Sequence, residues 1–214
     1  MYYSFHLLIP FILLLSVVKV TGTGDLFSTG IAERQKSDLT SLSFPISDAR
    51  TKEALLFCRK NKLDTSIAFF VDMGIHSGKN RFFIVDLHKK KIIHSGLCCH
   101  GMGKESTPAS PVFSNESGSN CTSLGKYKTG KRAFSNWGIN IHYKMKGLEN
   151  TNSNAFKRII VLHSYDPIPE NEIYPQHLPM GWSQGCPVIS NGLMTTIDKL
   201  LKSKKRSVLI WIYH

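Results

Sequence analysis

The chain has 214 residues, an apolar fraction of 42% and a formal net charge of +12, from 27 lysines and arginines against 15 acidic residues. Such an apolar fraction is ordinary for a globular protein, and the length leaves room for one domain with a sizeable core and little for a second. A basic surface suits nucleic acid, anionic lipid or an anionic envelope polymer. The lysines argue against nucleic acid, because they fall in solvent-type clusters, His88-Lys89-Lys90-Lys91 and Lys199 to Arg206, with no aromatic interleaving and no nucleic-acid module.

In chain order, the first element is an apolar run, Leu7 to Val18, followed by the small residues Thr21-Gly22-Thr23-Gly24. The run is shorter than the roughly 20 residues of a membrane helix. It reads as a secretory signal peptide over residues 1–22, cleaved near Gly22 or Gly24, and not as a stable membrane span. Export also disfavours a nucleic-acid partner. No cysteine follows the run, so nothing supports an acylated N-terminus. Residues 23–44 are polar and rich in Ser, Thr and Gly, which makes them a linker or arm, and residues 45–214 form the expected domain.

Ser47 or Asp48 caps an expected helix from Ala49 to Lys60, with Asn61 as its stop. The pattern then changes to strands. Ser66 to Val71, Arg81 to Leu87 and Lys91 to Cys99 are short and rich in Ile, Val and Phe, and the last two read as a hairpin through His88 to Lys90. From His100 to Leu124 the composition turns to Gly, Ser, Pro and Asn, too long for an ordinary turn and therefore a functional loop or flap. Strands are expected at Gly125 to Thr129, at Gly138 to Lys146 and at Arg158 to His163, where Ile159-Ile160-Val161-Leu162 reads as buried on both faces. Ser164 to Gly185 is a proline-stiffened loop, Pro187 to Ser190 a short strand, Gly192 to Lys202 an amphipathic helix and Ser207 to Tyr213 a buried strand. The sum is a mainly β domain with one or two peripheral helices.

The chemistry concentrates in Ser183-Gln184-Gly185-Cys186-Pro187-Val188-Ile189, with His163 closing an apolar run upstream. A free thiol is only a few per cent ionised at neutral pH, so a nucleophilic cysteine needs an imidazole or an electropositive pocket. His163 ends one strand and Cys186 begins another, so the two can meet at one end of a sheet. The N–H groups of Gly185 and Cys186 are candidates for an oxyanion hole, whereas Pro187 has no N–H to offer. A backbone carbonyl orients an imidazole as well as a carboxylate does.

Five cysteines in an exported chain are an odd number. With Cys186 free, Cys58, Cys98, Cys99 and Cys121 form two disulfides in one of three connectivities, or else remain buried thiols. Nine histidines raise the question of zinc, but no His-x-x-x-His or Cys-x-x-Cys spacing is present. His100 beside Gly101 and His177 near Trp182 are candidates to line a cleft, with exposure on loops as the alternative. Trp137, Tyr165 and Trp182 pack either against a bound peptide or within the core.

These motifs resemble the murein L,D-transpeptidases. The resemblance rests on Leu162-His163-Ser164 ahead of Ser183-Gln184-Gly185-Cys186, supported in order by Phe82 to Leu87, Ile92-Ile93, His100-Gly101, Ser123 to Tyr127 and Arg158 to His163, over about Thr65 to Tyr213. It implies a β-sandwich-like catalytic domain with Cys186 as acyl-accepting nucleophile, His163 as base, the Ser164 carbonyl orienting the imidazole, and Ser183 supporting the loop. Gln184, Trp182 and His100 would contact or support substrate. Two positions depart from the family pattern: Gln184 stands where many members have histidine, and Val188 where many have an arginine that helps hold a substrate carboxylate. The implied substrates are peptidoglycan stem peptides, with no metal or organic cofactor, in the bacterial cell envelope and its periplasm. A water acceptor in place of an amine makes the same scaffold an L,D-carboxypeptidase. A non-catalytic cell-wall binding domain is the reading outside enzymology.

Overall fold

The computed structural model describes residues 46–214, which form one unit, and the expected leader and arm over residues 1–22 and 23–44 lie outside the described residues. The first element begins where its cap does. Ser47 accepts the Arg50 N–H on its side-chain oxygen at 3.2 Å, pairing one of the amides a helix start leaves free. Helix α1 runs Asp48–Lys60, with Asp48 in its first turn and Arg59 and Lys60 in its last, each complementing the helix dipole.

Strands β1 (Ile67–Asp72), β2 (Phe82–Asp86) and β3 (Lys91–Gly96) follow, and β2 and β3 form the expected antiparallel hairpin. The Asp86 carboxylate accepts the N–H groups of His88 and Lys89 at 3.0 and 2.8 Å, which builds the turn between them. Next come β4 (Cys98–Cys99), β5 (Gly125–Phe134), β6 (Ile141–Gly147), β7 (Val161–Ser164) and β8 (Val188–Ile189). Helix α2 (Asn191–Lys202) and β9 (Leu209–Tyr213) complete the chain.

These nine strands of the described residues join one sheet in the order β3-β2-β1-β9-β5-β6-β7-β8-β4. Its two end strands, β3 and β4, are separated in sequence by Leu97 alone. Neighbouring Cα atoms lie 3.80 Å apart, so the sheet curls until its ends almost meet. The closed-up interior is the main core, where Phe69, Val71, Phe82, Ile84, Tyr127, Met145, Leu162, Ile189, Ile210 and Ile212 converge. Helix α2 enters it through Leu193, Met194, Ile197 and Leu201, an i, i+1, i+4, i+8 face. Each such side chain stabilises by about 1.5–3 kcal/mol on burial. Helix α1 lies outside the sheet, where the Arg50 guanidinium sits 3.7 Å from the Tyr213 ring centre and Glu53 pairs with Lys126 at 2.9 Å. Among the described residues the result is the mainly β fold with two α-helices that the residue pattern predicts. Among the described residues no helix is long and apolar enough to cross a membrane.

Two strand limits differ from expectation. Strand β5 continues to Phe134 because the register shift between Thr129 and Arg132 absorbs Gly130-Lys131, which reads as a break in sequence. Strand β7 begins only at Val161, because residues 153–159 form turns. Ile159 ends those turns at φ +58 and is 74% exposed, so it is not a two-face-buried strand residue. All five cysteines are free thiols, which removes the two-disulfide alternative. Cys98 and Cys99 point to opposite faces of β4, one into the main core and one into a smaller cluster with Leu97, Ile168, Leu178 and Val188.

Candidate active site

Sheet register brings the candidate residues to one face. His163 pairs with His142 of β6 on one side and with Val188 of β8 on the other, and Val188 pairs with Cys99. Paired residues share a face of the sheet. Cys186 stands two residues before Val188, and both Cys186 and His163 line an open cleft of about 460 Å³. The sequence expectation placed these two groups at one end of a sheet, and the parallel β7–β8 pair is the element that does so.

The turn carrying Cys186 is braced from within. Ser183 Oγ accepts the Gly185 N–H at 3.0 Å and donates to the Cys186 carbonyl at 2.6 Å, while the Ser183 carbonyl accepts the Met102 N–H at 2.9 Å. Gly185 sits at φ +113, where a Cβ would stand 2.7 Å from the Cys121 carbonyl oxygen. Because its N–H is taken by Ser183, Gly185 is not an oxyanion donor as the sequence suggested. Among the described residues the Cys186 N–H has no acceptor, so it alone of the pair is free to donate.

The imidazole is fixed by the next residue. His163 Nδ1 lies 3.0 Å from the Ser164 carbonyl. A carbonyl only accepts, so Nδ1 carries the proton and Nε2 presents its lone pair. Burial lowers the His163 pKa below its usual 6.5, with His142 acting in the same direction and the Ser164 carbonyl against it. Burial raises the Cys186 thiol, while the Val161 N–H and Arg158 oppose that rise. At neutral pH the resting pair is therefore a thiol and a neutral imidazole. The sulfur rests on the backbone at the start of β7, accepting the Val161 N–H at 3.4 Å and facing the carbonyl of Ile159, in the turn before that strand, at 4.0 Å. Among the described residues no hydrogen bond joins it to His163.

Other expected residues divide. Trp182 and Gln184 line the cleft, Gln184 exposed and Trp182 half-buried. Trp137, Tyr165 and Trp182 form one wall through edge contacts, with ring centres 5.6 and 5.8 Å apart. Val188 is fully buried in the smaller cluster, so its position holds a core residue and not a carboxylate ligand. His100 does not reach the cleft. It is 5% exposed, with Nδ1 3.0 Å from Arg81 Nη2 and Nε2 3.0 Å from the Thr107 carbonyl. Burial, with Arg81 beside it, lowers its pKa to about 4. His177 stacks on His76 at 3.6 Å between ring centres, also away from the cleft lining. Among the described residues no three His, Cys, Asp or Glu side chains gather as metal ligands.

The structure adds residues that the motif did not name. His142 reaches the cleft by pairing with His163, and its alternation with Ile141 and Tyr143 was the only signal available in sequence. Phe134 and Ile159 form part of the rim and are 71% and 74% exposed. Both lie where sequence reading misjudged a strand limit.

The family model of the L,D-transpeptidase catalytic domain matches residues 23–213, and the chain belongs to that family. No curated protein matches it. Among solved structures it is similar to the helical cell shape determining protein Pgp2 from Campylobacter jejuni, at 11% identity and a TM-score of 0.44, covering 70% of this chain and 48% of that one. It is also similar to Bdellovibrio bacteriovorus Bd1075, at 17% identity and a TM-score of 0.42, covering 72% and 49%. A third is the L,D-transpeptidase (residues 123–326) from Xylanimonas cellulosilytica, at 13% identity and a TM-score of 0.39, covering 69% and 60%. The chain thus spans about half to three fifths of the length of these structures.

Proposed function

We propose that this protein is a cysteine-dependent L,D-transpeptidase acting on peptidoglycan stem peptides. The observation that supports the reading is the meeting of Cys186 and His163 on one cleft through the β7–β8 register. Rotation of the Cys186 side chain off the Val161 amide brings its proton to His163 Nε2. Sγ then attacks the carbonyl between an L-centre and the following D-residue, and the Cys186 N–H faces the developing oxyanion. The C–N bond breaks, the proton passes from His163 to the departing amine, and a thioester remains on Sγ. A second stem's amine attacks that thioester, giving up a proton that returns through His163 to the sulfur as the C–S bond breaks.

A peptidoglycan substrate places the protein in the cell envelope, and the apolar leader supports export to the periplasm. Intact-mass analysis after incubation with stem peptides, or with a carbapenem as acylating probe, tests the reading. The expected result is an adduct on Cys186 that disappears in Cys186→Ala and His163→Ala variants of unchanged circular dichroism. Release of free D-amino acid without new cross-links would assign an L,D-carboxypeptidase instead. Absence of an adduct, with murein bound equally by Cys186→Ala, would leave only a wall-binding domain.

A further inference from the structure

None of the residues lining the cleft is Lys, Arg, Asp or Glu. A fixed charge lies behind the nucleophile turn, at Arg158. Arg158 Nη1 donates to the Ser114 carbonyl at 2.9 Å and to the Ser123 hydroxyl, and Nη2 donates to the Cys121 carbonyl at 2.6 Å. All three acceptors are neutral, and among the described residues Arg158 enters no ion pair. Its positive charge is held in place without being cancelled.

Gly185 is what lets that charge approach. A Cβ on Gly185 would stand 3.0 Å from Arg158 Nη2, so the missing side chain leaves the guanidinium room against the turn. From the other side, the chain leaves Arg158 and three residues later presents the Val161 amide to the sulfur. One short segment thus supplies both a cation behind the turn and a hydrogen bond to Sγ.

We propose that Arg158 is a positioning residue for Cys186, whose uncancelled charge favours the thiolate and so governs how readily the sulfur attacks. The proposal rests on Cys186 being the nucleophile of the reaction above. An opposite charge within a few ångströms favours the ionised form of a thiol, and more strongly where water is displaced. Burial disfavours the Cys186 thiolate, and Arg158 is among the groups that oppose burial.

The test is the rate of iodoacetamide alkylation at Cys186 against pH, located by peptide mass mapping, in the full chain and in Arg158→Gln and Arg158→Lys. Glutamine keeps hydrogen-bond donors but no charge, and lysine keeps the charge but loses the fork. The expected result for Arg158→Gln is a profile displaced to higher pH, with the rate at pH 7 lowered about tenfold. Arg158→Lys should stay near the parent profile. A folded Arg158→Gln that alkylates along the parent profile would overturn the proposal, as would an Arg158→Lys displaced as far as the glutamine variant. If the glutamine variant does not fold, Arg158→Met replaces it as the uncharged variant under the same criterion, and an Arg158→Lys profile displaced by about one pH unit or more overturns the proposal. Alkylation needs no stem peptide, so this result is independent of whether transpeptidation is observed.

Discussion

The Val161 amide, and not the His163 imidazole, holds the Cys186 sulfur at rest, at 3.4 Å from N to Sγ. Burial acts on both partners to favour their neutral forms, so ionisation belongs to the reaction and not to the resting state.

The first prediction concerns pH. In the proposed reaction His163 serves as base only when neutral, and its pKa lies below the usual 6.5. The acid limb of kcat/KM for acylation should therefore have its midpoint below 6.5, with activity retained in mildly acidic solution. A midpoint at or above 6.5 would mean that the folded protein does not lower the His163 pKa.

Gly185→Ala should be severe. The new methyl group would have to occupy a left-handed backbone at φ +113 while standing 2.7 Å from the Cys121 carbonyl oxygen and 3.0 Å from Arg158. A loss of about 2 kcal/mol or more in denaturant unfolding is expected, with acylation abolished. Unaltered stability would show that the turn has another conformation open to it.

Ile159→Gly should do the opposite to stability. Ile159 is β-branched, sits at φ +58 and is 74% exposed, so glycine relieves strain and gives up little buried surface. A gain of about 1 kcal/mol is expected, together with a raised KM because Ile159 lines the cleft. A lower melting temperature would count against strain at this position.

His100 should contribute to acid sensitivity. Its folded pKa of about 4 lies below the ordinary 6.5, so the unfolded chain takes up the proton first as pH falls. The stability of the neutral buried ring is complete above pH 6.5 and is lost as pH drops towards 4, a change on the order of 3 kcal/mol. His100→Gln keeps a donor for the Thr107 carbonyl but cannot take the proton. Its unfolding free energy should vary less across that window, and an identical slope in both proteins would refute the assignment.

Local pattern determined much of this molecule. Alternation and β-branching marked most strands, Ser47 or Asp48 marked the start of α1, and the spacing of Leu193, Met194, Ile197 and Leu201 marked the buried face of α2, because each depends on residues a few positions apart. The same reading singled out His163 and Cys186 from residue type and neighbouring glycine. Tertiary structure alone decided what surrounds them. The Gly185 N–H turned to Ser183, His100 turned to Arg81 and Thr107, and Arg158 met Ser114, Cys121 and Ser123 across the long loop. A buried donor or acceptor takes whichever partner the folded chain brings within about 3 Å, and that choice is made between segments far apart in sequence, where periodicity carries no signal.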